Sequence, residues 1–159
     1  MSTQHTRRNF LLHTPVALGA IALALDTSRL QAESATTIPS SALLEPAFVN
    51  AQLQRSHAAP WKILQVGFHS MFDQKHIRGA IYAGPASQPD GLALLRQTVS
   101  AWPRTQPILL YCGCCPWTHC PNIAPAWDQL QSMHFTAVKV LRIDNNFGAD
   151  WAAKGYPVA

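Results

Sequence analysis

The sequence predicts an α/β domain with a central, mostly parallel sheet and helices on both faces. Two observations carry the prediction. Short apolar stretches rich in Ile, Leu and Val recur along the chain, as strands buried on both sides require. Between them lie segments with apolar residues at three- and four-residue spacing, set off by glycine and proline. Strands alternating with helices imply a parallel sheet covered on both faces.

The elements follow in order. Pro46 to Gln54 carries Phe48, Val49 and Leu53 near helical spacing, with Pro46 suited to a first turn. Trp61 to Val66 reads as a buried strand closing at Gly67, and Ile77 to Tyr82 as a second before the Gly84-Pro85 turn. Asp90 or Gly91 opens a helix through Leu92, Leu95 and Val99 that stops at Trp102-Pro103. Pro107 to Tyr111 is the clearest central strand. A helix from Pro121 to Met133 follows, with Ile123, Ala126, Trp127 and Leu130 on one face. Ala137 to Leu141 is a further strand, and Ala149 to Lys154 a last short helix.

The N-terminus reads differently. Thr6-Arg7-Arg8-Asn9-Phe10-Leu11-Leu12 precedes an uncharged run, Val16 to Leu25. Ten helical residues rise about 15 Å, half of a bilayer core of roughly 30 Å, so the run suits a signal peptide and not a membrane span. The segment resembles a twin-arginine export signal, which implies a periplasmic protein. Residues 1–32 are therefore expected to be the signal peptide, 33–42 a flexible linker rich in Ser, Thr and Ala, and 43–159 the domain. Arg7, Arg8 and Arg29, against Asp26, account for two of the +4 formal charges. No Lys/Arg cluster remains beyond the signal, so neither nucleic acid nor a membrane surface is an expected partner. The mature form has no expected membrane span.

All four cysteines, Cys112, Cys114, Cys115 and Cys120, fall within one short loop, Cys112-Gly113-Cys114-Cys115-Pro116-Trp117-Thr118-His119-Cys120-Pro121. Structural disulfides staple distant segments, so clustered thiols point to reactivity or ligation. Cys112 follows the best strand and precedes a helix, the edge at which parallel sheets bind ligands. Successive N–H groups and a helix N-terminus there favour a thiolate, the nucleophilic form. Gly113 lets the backbone curl beside the sulfur, and Pro121 is expected at the first helical position.

Four segments resemble the rhodanese-like domain family in the family's order. His76-Ile77-Arg78-Gly79-Ala80 resembles its His-Ile-Pro-Gly-Ala signature, and Ile108-Leu109-Leu110-Tyr111-Cys112 its strand and catalytic cysteine. Phe135 to Leu141 and Trp151 to Pro157 resemble its two closing motifs. The resemblance implies a rhodanese-like three-layer fold and sulfurtransferase chemistry. Cys112 would carry a persulfide taken from a small sulfur donor such as thiosulfate and passed to a thiol acceptor, and no cofactor would be required. Three departures stand out. Gln65-Val66-Gly67 replaces the family's Asp-Val-Arg, Asn145-Asn146 replaces two glycines with a residue that tolerates left-handed backbone, and the loop is longer with three extra thiols.

Cys112 and Cys115 form a Cys-x-x-Cys pair, so Cys115 is the expected resolving thiol. Arg78 is the candidate for binding an anionic donor. Two other functions use the same loop. One is a thiol–disulfide redox protein acting on exported partners. The other is a binding module in which Cys112, Cys114, Cys115, Cys120 and His119 hold copper, zinc or an iron–sulfur centre, although the adjacent Cys114 and Cys115 side chains are expected to diverge. A phosphatase loop needs arginine six residues after its cysteine, and c-type haem needs His after Cys-x-x-Cys. Neither is present.

Overall fold

The apolar stretches assemble as five parallel strands in the order β1-β5-β4-β2-β3. The computed structural model describes residues 38–55 and 60–159. The expected signal, residues 1–32, and residues 33–37 of the expected linker lie outside the described residues. The chain runs β1 (Leu43–Leu44), α1 (Pro46–Arg55), β2 (Lys62–Gln65), α2 (His69–Gln74), β3 (Ile81–Tyr82), α3 (Pro89–Val99), β4 (Ile108–Tyr111), α4 (Ile123–Ser132), β5 (Val138–Leu141) and α5 (Phe147–Asp150). Single 310 turns at Ser40–Ala42, Trp117–His119 and Ala152–Lys154 complete it. Among the described residues no helix is long and apolar enough to cross a membrane.

β4 sits at the centre, buried along its whole length, and pairs with β2 from Ile108–Lys62 to Tyr111–Gln65. Successive strand residues point to opposite faces, which accounts for the unbroken apolar run. Leu64, Ile108, Leu110, Val138 and Val140 pack with Leu95 and Val99 of α3 and Ile123, Ala126 and Leu130 of α4. Ile63, Leu109, Tyr111 and Leu141 pack on the other face with Val49 of α1, Phe147 of α5 and Trp151. The expected α/β class with helices around a parallel sheet is the one observed.

The structure adjusts several boundaries. Ile38 and Ala42 are buried, so packed structure starts before residue 43. The strand expected over Ile77 to Tyr82 shortens to Ile81–Tyr82, because Ile77 bridges antiparallel to Val158 and Gly79 turns the chain at positive φ. α2, which buries none of its residues, has no apolar period to announce it. The last helix starts at Phe147, where the Asn146 side chain accepts from Ala149 N. Asn146 is extended, with φ −160°, and needs none of the left-handed tolerance expected of it. Helix α4 begins at Ile123, after Asn122, so Pro121 precedes the helix and does not open it.

β2 and β4 are neighbours whose successors, β3 and β5, lie on opposite sides of the pair. Their connections therefore leave in opposite directions and open a crevice at the carboxyl ends. Gly67 and Cys112 both come from those ends.

Candidate active site

Cys112 is one residue past β4 and only 3% exposed. The Gln65 side chain at the end of β2 donates from Nε2 to the Cys112 carbonyl at 3.3 Å, tying the loop to the neighbouring strand. Asn122, fully buried just before α4, acts as a clasp. Its Oδ1 accepts from Ser87 N at 2.9 Å and its Nδ2 donates to Cys112 Sγ at 3.4 Å. Nothing in the immediate sequence around Asn122 names Ser87, so this residue escaped the sequence reading. The signal that could have found it is an asparagine directly before an apolar helical run.

The four thiols converge. Cys114 Sγ lies 3.3 Å from Cys112 Sγ, 3.1 Å from Cys115 Sγ and 3.8 Å from Cys120 Sγ, and all four cysteines are free. The adjacent Cys114 and Cys115 sulfurs therefore meet, where divergence was expected. Cys114 contacts both members of the expected Cys112–Cys115 pair. Gly113 makes the convergence possible. Its φ is 90°, and a Cβ there would stand 2.7 Å from Phe147 Cβ.

Charge is distributed unevenly. A hydrogen bond from Cys112, then backbone N–H groups of Asn122 and Ile123, outweigh burial and hold the Cys120 thiol down to about 5. The same hydrogen bond to Cys120, with burial and the charge on Cys120, pushes Cys112 well above the usual thiol range. Both shifts favour the anion on Cys120, at the N-terminal end of α4 where backbone N–H groups stabilise negative charge. Burial and a hydrogen bond with Cys114 push Cys115 up to about 12. At neutral pH this shift favours its protonated form.

Other expected site residues stand apart. Thr118 Oγ1 and His119 Nδ1 bond each other at 2.9 Å on the exposed side of the loop, so His119 does not join the sulfurs. Pro116 precedes the 310 turn and Trp117 N donates to Ile143 O at 2.7 Å, which anchors the loop. Arg78 is exposed in the turn after Ile77, its N–H bonded to Pro157 O. The cation beside the loop is instead Lys75, on the wall of a cavity of about 580 Å3 that also reaches Gly113 and Cys114. His76 stacks on Phe72 with centroids 3.8 Å apart and pairs its backbone with Ala159, as a structural residue does.

A soft metal ion is chemically compatible with part of this cluster. Among the described residues, the Cys112, Cys114 and Cys120 sulfurs lie within 4.8 Å of one another. Metal–sulfur bonds of about 2.3 Å place tetrahedral ligands roughly 3.8 Å apart, a spacing that small side-chain rotations would reach.

The architecture matches known shapes. The chain superposes on the rhodanese-like domain of a protein from Anabaena sp with a TM-score of 0.55 at 20% identity, covering 74% of this chain and 78% of that one. The fold is rhodanese-like. A rhodanese-related protein from Thermoplasma volcanium gives a TM-score of 0.51 at 16% identity, over 73% of this chain and 95% of that one. No family model and no curated protein matches the sequence. Within the rhodanese-like frame Gly67 has a physical reason. A Cβ there would stand 2.8 Å from Gln65 Nε2 and 3.0 Å from Cys112 Sγ, so a side chain at 67 requires the Gln65 amide and the Cys112 sulfur to shift.

Proposed function

We propose that this protein is an exported sulfurtransferase that carries sulfane sulfur as a persulfide on Cys112. The observation that carries the proposal is Cys112 Sγ, buried at the end of the central strand, with the Asn122 amide donating to it and Cys114 Sγ 3.3 Å away. Cys112 Sγ attacks the outer sulfur of a donor such as thiosulfate while its proton passes to Cys120. The donor S–S bond breaks, its electron pair leaves as sulfite, and Cys112 bears the outer sulfur as a persulfide anion. An acceptor thiolate then takes that sulfur. The Cys112–sulfur bond breaks with its pair on Cys112 Sγ, which regains the proton from Cys120. Asn122 Nδ2 and the loop backbone support the sulfur anion throughout.

The leader read from Arg7-Arg8 and the apolar run after it supports the export half of the proposal. N-terminal sequencing of protein recovered from a periplasmic fraction tests it, with loss of residues near Ala32 expected and an intact Met1 contradicting it. The chemistry is tested by sulfite release. Reduced protein and thiosulfate should give one sulfite per Cys112, and no release from wild type would overturn it.

The three clustered sulfurs also favour a second function, soft-metal binding. Elemental analysis of freshly isolated protein separates the two, since stoichiometric copper, zinc or iron would displace the sulfur-transfer proposal.

A further inference from the structure

Cys112 and Cys120 are 3% and 6% exposed, which leaves a peptide-sized thiol little direct access to sulfur carried on Cys112. Cys114 is half-buried, touches both of them, and lines the cavity. We propose that Cys114 is the thiol through which sulfur leaves the buried pair, and that the cavity between α2 and α5 binds the acceptor, a peptide-sized thiol bearing a carboxylate. The proposal rests on the sulfur-transfer function above and adds the exit residue and the acceptor class.

Size and chemistry define the acceptor. The cavity, about 580 Å3, has the volume of a site for a ligand of drug or short-peptide size. Thiosulfate would leave most of it empty. Met71 and Phe147 give apolar walls, Gln74 and Asn146 give amides that bond a peptide backbone, and Lys75 gives the ammonium that pairs with a carboxylate. Gly113 presses against Phe147 so closely that any side chain there would collide with it, which holds Cys114 at the cavity wall. In the exit step Cys114 Sγ attacks the outer sulfur of the Cys112 persulfide. The Cys112–sulfur bond breaks with its electron pair on Cys112 Sγ, which takes the Cys114 proton. The acceptor thiolate then removes the outer sulfur from Cys114 and leaves the pair on Cys114 Sγ, which takes the proton Cys120 gained during loading, so that the starting state is restored.

Protein loaded with sulfur from excess polysulfide is mixed with glutathione, an anionic tripeptide thiol, or with cysteamine, which has no carboxylate. Wild type should discharge to glutathione about tenfold faster, the factor one charge-assisted contact supplies. Lys75→Glu should lose that preference, read as the ratio of the glutathione to the cysteamine rate. Cys114→Ser should lose discharge to glutathione, whether or not its loading also slows. Equal rates for the two thiols, an undiminished preference in Lys75→Glu, or wild-type discharge by Cys114→Ser would overturn the proposal. A separate measurement needs no sulfur transfer. S-methylglutathione should shift the amide resonances of Met71, Gln74 and Gly113 in unloaded wild type and leave those of Lys75→Glu in place. If wild type takes up no sulfur, the transfer function fails, while this titration still decides the cavity, with unshifted resonances overturning its assignment.

Discussion

Gly67 and Cys112 are pressed together, so that a Cβ added at Gly67 would stand 3.0 Å from the Cys112 sulfur. The ends of the two adjacent strands β2 and β4 meet there so closely that a side chain would have to displace the Gln65 amide or the Cys112 sulfur. The contact joins the chain's most visible departure from the family pattern to its reactive sulfur.

Gly67→Ala is therefore expected to destabilise the fold by about 1–3 kcal/mol, the usual cost of overpacking, and to slow sulfur uptake. The new methyl must displace either the Gln65 amide or the Cys112 sulfur. Urea melts paired with sulfite-release rates measure both effects. An alanine variant with wild-type stability and rate would show that the contact does not constrain Cys112.

Asn122→Ala removes the acceptor for Ser87 N and the donor to Cys112 Sγ in one substitution. Leaving a buried polar group unpaired costs about 1–3 kcal/mol. The expected outcome is a loss in that range by denaturant melting and a slower rate of persulfide formation. Asn122→Asp should restore the acceptor for Ser87 N but bury a carboxylate against the Cys112 sulfur, and is expected to recover neither stability nor rate.

The large features of this fold were legible and the fine chemistry was not. β4 announces itself because both of its faces are buried, which forces an unbroken apolar run, and its neighbour β2 keeps the buried apolar pair Ile63 and Leu64. Cys112 was legible because it ends such a run ahead of a helix. β1 is only two residues long, and α2 buries nothing, so neither leaves a periodic trace. The clasp by Asn122 depends on Ser87, 35 residues away, and local spacing carries no such information. The Cys-x-x-Cys spacing pointed to Cys115 as the partner of Cys112, but the left-handed backbone at Gly113 turns Cys114 inward. The seat of the thiolate on Cys120 follows from hydrogen bonds at the start of α4, which exist only once the chain is folded.

Stability under reducing conditions should depend on pH through the Cys112–Cys120 pair. Folded Cys120 is held down to about 5, and an unfolded cysteine titrates near about 8.5. Between those values the unfolded chain binds the extra proton, so stability rises with pH. That contribution is lost as pH falls through 5. Cys112 is pushed up, keeps its proton where the unfolded thiol loses it, and makes stability fall above about pH 8.5. Denaturant melts from pH 5 to 10 should show the rise and the fall, and Cys120→Ser should flatten the rise. A rise of the same size in Cys120→Ser would place it on another group.

Gly113→Ala should disorganise the loop. The position has φ 90° and lies against Phe147 Cβ, so both backbone strain and collision oppose a side chain. A cost of about 1–3 kcal/mol is expected from the strain. Pairing with Phe147→Gly should recover part of this loss, because only loss of the Phe147 Cβ removes the collision. Thermal melts of the two single variants and the double variant measure the recovery, and its absence would assign the whole cost to the backbone.

The central claim is that sulfur resides on Cys112. Its most direct test is the intact mass of reduced protein after incubation with thiosulfate, followed by peptide mapping of the loop. Wild type should gain about 32 Da, the mass of one sulfur atom carried as a persulfide, and the gain should map to Cys112. Sulfur uptake at the wild-type level by Cys112→Ser would contradict the claim.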